Sequence, residues 1–202
     1  LPSSGNLIST RIILILEPYS EVDLLQVYCG KENTFQNQFM EISLSKNAKL
    51  NHGVIGIGEG GSLMANIAIR QDSSSKYSLT SVINGWDLAR MQNKIVQSSG
   101  KAETNLQGLQ ISKNNETMET HTFVRFDGPE GLLQQLNKSA ASDISHCLFN
   151  GEIKVPQVAQ KTNANQLSRN LLLSKKAKID TKPALEIIAD DVHCSHGATI
   201  SQ

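Results

Sequence analysis

Ser45-Lys46-Asn47-Ala48-Lys49-Leu50-Asn51 returns as Ser99-Gly100-Lys101-Ala102-Glu103-Thr104-Asn105 and again as Ser174-Lys175-Lys176-Ala177-Lys178-Ile179-Asp180. Each copy runs serine, two polar or turn-forming residues, alanine, a charged residue, a β-former, then asparagine or aspartate. A degenerate copy is Pro18-Tyr19-Ser20-Glu21-Val22-Asp23. With Ser20, Ala48, Ala102 and Ala177 as equivalent positions, the separations are 28, 54 and 75 residues. These are close to one, two and three units of roughly 25 to 28 residues. Repetition at that length marks a solenoid, in which a small unit buries its apolar face only by stacking on the next.

Short alternating or apolar runs lie between the copies: Arg11 to Leu16, Met40 to Leu44, Val54 to Ile57, Ile67 to Arg70, Leu106 to Ile111, Thr122 to Phe126 and Ala184 to Ile188. All read as strands. Turn residues punctuate them at Asn51-His52-Gly53, Glu59-Gly60-Gly61, Gln71 to Ser75, Asn84-Gly85 and Asp127-Gly128-Pro129. Long helical periodicity is nearly absent. The expected fold is all-β, a single parallel β-helix over residues 1–202 with the repeated alanine at a tight corner. An ordinary β-sandwich whose turns are similar by chance is the alternative. A solenoid needs capped ends. This chain begins without methionine and stops at Gln202 straight after a candidate strand, so its last edge is expected to be open and its caps to lie elsewhere.

Composition narrows the function classes. At 202 residues and 39% hydrophobic content the chain can bury a substantial core. Nineteen basic and nineteen acidic residues cancel, with no long run of one sign, which argues against nucleic-acid and anionic-membrane partners. Ile12-Ile13-Leu14-Ile15-Leu16 is the length of a strand rather than a membrane span, and Leu1-Pro2-Ser3-Ser4 does not resemble a signal peptide. Three widely spaced cysteines make no disulfide framework, so a reducing compartment is expected: cytoplasm, or plastid stroma for a plant or algal source. Cys29 and Cys147 read as core or coil-lining residues. His52, His121 and His146 read as solvated residues near turns or strand ends.

The tail Asp190-Asp191-Val192-His193-Cys194-Ser195-His196-Gly197 concentrates the reactive side chains. In an extended chain Cys194 and His196 share one face while His193 and Ser195 take the other. A thiol beside an imidazole is half a metal site, since zinc or an iron–sulfur cluster usually takes four protein ligands and there is no Cys-x-x-Cys elsewhere. The remaining ligands have to come from elsewhere, or there is no site.

The ordered series Asn150-Gly151-Glu152-Ile153-Lys154-Val155, Ala159 to Ala164, Asn170-Leu171-Leu172-Leu173-Ser174, Asp180-Thr181-Lys182-Pro183, Leu185-Glu186-Ile187 and Ala189-Asp190-Asp191-Val192 into Cys194-Ser195-His196-Gly197-Ala198-Thr199 resembles the SufB/SufD family, and its last segment resembles the SufD-type signature. The likeness is strong from about His121 to Gln202 and weak, through the repeats, towards the N-terminus. His193 stands where that pattern usually has lysine, Ile188 where it has tyrosine and Ser201 where it has glycine; none of these departures touches Cys194 or His196. The resemblance implies a right-handed parallel β-helix core whose N- and C-terminal helical flanks lie outside these residues. It implies a non-catalytic scaffold in iron–sulfur cluster assembly that pairs through its last strands with a SufB-like subunit, or with a second copy of itself in isolation. It implies a SufC-like ATPase gripping the C-terminal flank. It also implies His196, with Cys194 beside it, as ligands of a transient iron–sulfur cluster shared with the partner, none being held tightly by the isolated chain.

Other chemistries have weaker support in the sequence. Gly56-Ile57-Gly58-Glu59-Gly60-Gly61 formally matches the dinucleotide fingerprint but lacks βαβ surroundings. Asp190 and Asp191 suggest a β-helical polysaccharide hydrolase or lyase, although adjacent strand residues point to opposite faces and the 4% aromatic content leaves few platforms for sugars. No Gly-x-Ser-x-Gly elbow supports a nucleophilic hydrolase. A purely structural β-solenoid that self-associates by its edge is the third reading.

Overall fold

The structure is a computed structural model that describes residues 5–202; Leu1-Pro2-Ser3-Ser4 lies outside them. The strands follow in order: β1 (Asn6–Leu16), β2 (Glu21–Lys31), β3 (Thr34–Leu44), β4 (Lys49–Glu59), β5 (Ser62–Gln71), β6 (Lys76–Asn84), β7 (Leu88–Gln97), β8 (Glu103–Ser112), β9 (Thr117–Phe126), β10 (Leu132–Ala141), β11 (His146–Val155), β12 (Asn163–Leu172), β13 (Lys178–Ile187) and β14 (His193–Ser201). Odd-numbered strands form one seven-stranded sheet and even-numbered strands a second, both in sequence order. Every pairing is parallel, and there is no helix among the described residues. The chain is a parallel β-helix in which each coil adds one strand to each sheet.

Glu21, Lys49, Lys76, Glu103, Leu132, Asn163 and His193 stack in register, so a coil takes 27 to 31 residues. The corner motif has a physical basis. Tyr19, Asn47, Ser74, Lys101, Glu130 and Lys161 each adopt a left-handed conformation, with φ between 55° and 65°, two residues before an even-numbered strand. The next residue turns inward and must be small: Ala48, Ser75, Ala102 and Thr162 are fully buried there. Ala177 is a correction to the repeat as read from sequence. It precedes β13 and stacks with Ser145 at the opposite corner, because Lys178 aligns with His146. Asn51-His52-Gly53 is a second correction, lying inside β4. Asn51 Nδ2 donates to Asp23 Oδ1 of the previous coil at 2.7 Å, so a turn-forming residue serves as a rung.

Most inward side chains of the N-terminal coils are apolar, among them Met40, Ile42, Leu44, Leu50, Val54, Leu63, Ile67 and Ile69. Fully buried Trp86 closes this region. It lies over Gly30, Gly56 and Gly58, which face inward in the register Gly30↔Gly58; a β-carbon on Gly30 or Gly58 would overlap the indole. The Gly56 to Gly61 run is thereby explained by packing and a left-handed corner at Gly60 and Gly61 rather than by a nucleotide. Burying an indole stabilises by on the order of 5 kcal/mol.

The C-terminal coils differ, with Gln97, Gln110, Gln135, Asn137, Gln166, Ser168 and Asn170 buried on inward positions. Their amides are tied to one another. Gln97 Nε2 donates to Thr104 Oγ1 at 2.8 Å, and Thr104 Oγ1 to Gln71 Oε1 at 2.6 Å. Gln110 Nε2 donates to Ser139 Oγ at 2.9 Å. Such side chains are tolerated in a core only when hydrogen-bonded.

Candidate functional site

β14 pairs with β12 on one side only, and β13 likewise with β11. The last coil therefore presents two edges whose outer backbone groups have no strand partner among the described residues. Cys194 aligns with inward Ala164 and His196 with inward Gln166, so both side chains belong to the interior-facing series of the coil. His193 and Ser195 align with outward Asn163 and Asn165. The two faces are those expected from strand alternation. No further coil among the described residues covers the interior face here, so His196 is exposed and Cys194 half-buried against the core.

Burial raises the Cys194 thiol above its ordinary value, with a hydrogen bond to the Ala164 backbone opposing this more weakly. The thiol is therefore protonated near neutral pH and gives up a proton on meeting a metal. Imidazole needs no such step once neutral, which makes His196 the readier donor. Among the described residues no group of three or more His, Cys, Asp or Glu side chains gathers to hold a metal ion. Cys194 and His196 form at most a partial ligand set.

Asp190 and Asp191 sit at the corner before β14, not on a strand. Gln160 Nε2 donates to Asp190 Oδ1 at 2.8 Å, the Asp191 amide donates to Gln160 Oε1 at 3.0 Å, and the Asp191 carbonyl accepts from the Lys161 amide at 2.6 Å. Both acids are thus built into a stacked corner.

Three assignments change. Cys29 is exposed on the outer face of β2, because Tyr28 and Gly30 are the inward residues; Cys147 is buried as expected, and burial pushes its thiol up to about 11. His52 is buried inside β4, between Tyr77 Oη and Gln26 Oε1 at 3.1 Å each, and desolvation lowers its pKa to about 4. His121 lies in the middle of β9 with its Nε2 at 3.0 Å from Glu119. His146 opens β11 and meets Asp180 of the next coil at 2.7 Å. A residue that sequence reading passed over is Gln166, the inward neighbour directly beneath His196. A 31-residue offset to Gln135 and a 30-residue offset to His196, one coil each, were the available signal.

The family model described as SUF system FeS cluster assembly, SufBD core domain, matches residues 1–202. The chain is 35% identical over 207 aligned residues to an iron–sulfur cluster assembly SufBD family protein of Synechocystis, covering 97% of this chain and 46% of that protein. It is 34% identical to the chloroplastic protein ABCI7 of Arabidopsis thaliana, over 95% of this chain and 41% of that one. Against the iron–sulfur cluster assembly protein SufD of Escherichia coli it is 40% identical over 111 residues, 54% of this chain and 26% of SufD. The chain spans less than half the length of these curated relatives.

Proposed function

The chain belongs to the SufBD core-domain family of the SUF iron–sulfur cluster assembly system, and from that membership we propose that it is a non-catalytic scaffold subunit whose last coil docks edge to edge on a SufB-like subunit. The observation that carries this reading is the position of Cys194 and His196: both project from the interior face of β14, the last strand described, beside an edge with no strand partner among the described residues. Strand addition at such an edge supplies backbone hydrogen bonds on association and sets register through alternate side chains. The nascent cluster is cargo held between the subunits, with His196 and then Cys194 as this chain's donors and cysteines of the partner completing the set. A shared and incomplete ligand set grips less firmly than four thiolates of one chain, which suits a protein that passes the cluster on. A SufC-like ATPase, contacting parts of the protein outside this core, drives the rearrangement. A reducing compartment, cytoplasm or stroma, is the location that goes with this reading, since such compartments keep thiols free.

The test is co-purification of the full-length protein with its SufB-like and SufC-like partners and comparison of cluster content with His196→Ala. Loss of cluster with the complex intact supports the reading. Unchanged cluster content removes the ligand role, and sugar release from a polyuronide that disappears in Asp190→Asn would replace the scaffold with a hydrolase.

A further inference from the structure

A directional chain of buried amides runs through the interior toward the open end. Gln135 Nε2 donates to Thr122 Oγ1 at 2.9 Å within its own coil, and Gln135 Oε1 accepts from Gln166 Nε2, one coil further on, at 2.9 Å. Gln135 and Gln166 are register partners in one inward column, and the next member of that column is His196. Gln166 is fully buried; its amide lies against Gly151, where a β-carbon would collide with it, so it has little freedom to turn elsewhere. With the nitrogen committed to Gln135, Gln166 Oε1 is left as a buried acceptor with no protein donor. An unfilled buried acceptor is costly, and the side chain following it in the column carries an N–H.

We propose that Gln166 is a positioning residue for His196: its Oε1 accepts the proton of one imidazole nitrogen, fixing the tautomer and ring plane so that the other nitrogen presents its lone pair at the open end. This repeats at β14 what Gln166 itself does to Gln135, with histidine as the terminal donor. Metal-binding histidines commonly have the second ring nitrogen held in this way, and a polarised chain of amides strengthens the final hydrogen bond. The role of that lone pair in holding a cluster rests on the function proposed above; the tautomer does not.

The tautomer of His196 is read by nitrogen–proton correlation spectroscopy on the full-length protein, isotope-labelled at histidine nitrogens and free of cluster. The wild type shows one neutral tautomer in excess by about tenfold, the value of one buried hydrogen bond. Gln166→Met, which keeps the volume and removes the acceptor, brings both tautomers to comparable amounts, and Gln166→Glu restores a single form. Gly151→Ala, which displaces the Gln166 amide without deleting it, gives the Met result if Gln166→Met proves too unstable to record. An unchanged ratio in a folded Gln166→Met or Gly151→Ala protein overturns the proposal. So does an even mixture in the wild type. Because no cluster takes part, this result stands or falls apart from the His196→Ala cluster assay.

Discussion

Trp86 occupies the volume that a side chain at Gly30 would need: a β-carbon at Gly30 would overlap the six-membered ring of the indole, although the two residues lie 56 positions apart. Trp86 is the only tryptophan of the chain, so its fluorescence reports this packing. Gly30→Leu is expected to destabilise the protein by about 3 kcal/mol, as other overpacked cores do. Trp86→Ala costs a similar or larger amount, about 3 to 5 kcal/mol, through the cavity it leaves. Denaturant titration measures both, and a red-shifted emission of the folded Gly30→Leu protein shows that the indole was displaced. Unchanged emission and stability would contradict the packing.

His52 makes stability depend on pH. Neutral His52 suits its surroundings, with Nε2–H donating to Gln26 Oε1 and Nδ1 accepting from the Tyr77 hydroxyl. Its folded pKa, lowered to about 4, lies below the ordinary histidine value, so the unfolded chain binds this proton first as the pH falls. Stability is therefore complete above about pH 6.5 and declines as the pH falls toward 4. Between about pH 7.5 and 5 the loss is about 2 kcal/mol, and it is absent from His52→Phe. Urea titrations of both proteins at the two pH values measure the difference; equal slopes would show that His52 is not the source.

The cysteines should react in a fixed order. Cys29 is exposed on β2, Cys194 is half-buried with its thiol pKa raised, and Cys147 is enclosed beside Ser112 with its thiol pushed up to about 11. A disulfide reagent applied near neutral pH should modify Cys29 first, Cys194 more slowly, and Cys147 only on unfolding. Mass mapping of the labelled peptides with time checks the order, and early labelling of Cys147 would be incompatible with this core.

Ile200 separates pairing from folding. It lies on the interior side of β14 yet is about half exposed at 50%, because no coil among the described residues covers it. Ile200→Lys should change intrinsic stability by less than about 0.5 kcal/mol and weaken association with a SufB-like subunit by tenfold or more, roughly 1.4 kcal/mol. Thermal unfolding of the single chain and sedimentation of the mixture measure the two effects, and unaltered association would move the proposed interface off this edge.

The repeat was readable because corners have strict chemistry. A left-handed residue followed by a small inward one leaves its trace at Asn47-Ala48 and Lys101-Ala102. Seven strands were visible as apolar or alternating runs. β2, β6, β7, β10, β11 and β12 were not among them, and β10 shows one reason, since polar residues take interior positions there: its inward face is Leu133, Gln135, Asn137, Ser139 and Ala141. In a solenoid the stacked neighbour satisfies such side chains, so inward no longer means apolar. The Ala177 copy misled for the related reason that both corners of a coil obey the same turn chemistry, and local sequence does not tell one sheet from the other.

Strand alternation alone was enough to place Cys194 and His196 on one face and His193 on the other, because that depends only on the two-residue period of extended backbone. Whether that face looked into the solenoid or out to solvent, and that Gln166 lies beneath His196 with an unfilled acceptor, depended on the register between coils. Register is set by summed packing and hydrogen bonding over residues about thirty apart, where corner lengths vary from coil to coil. Only the folded chain brings those contributions together.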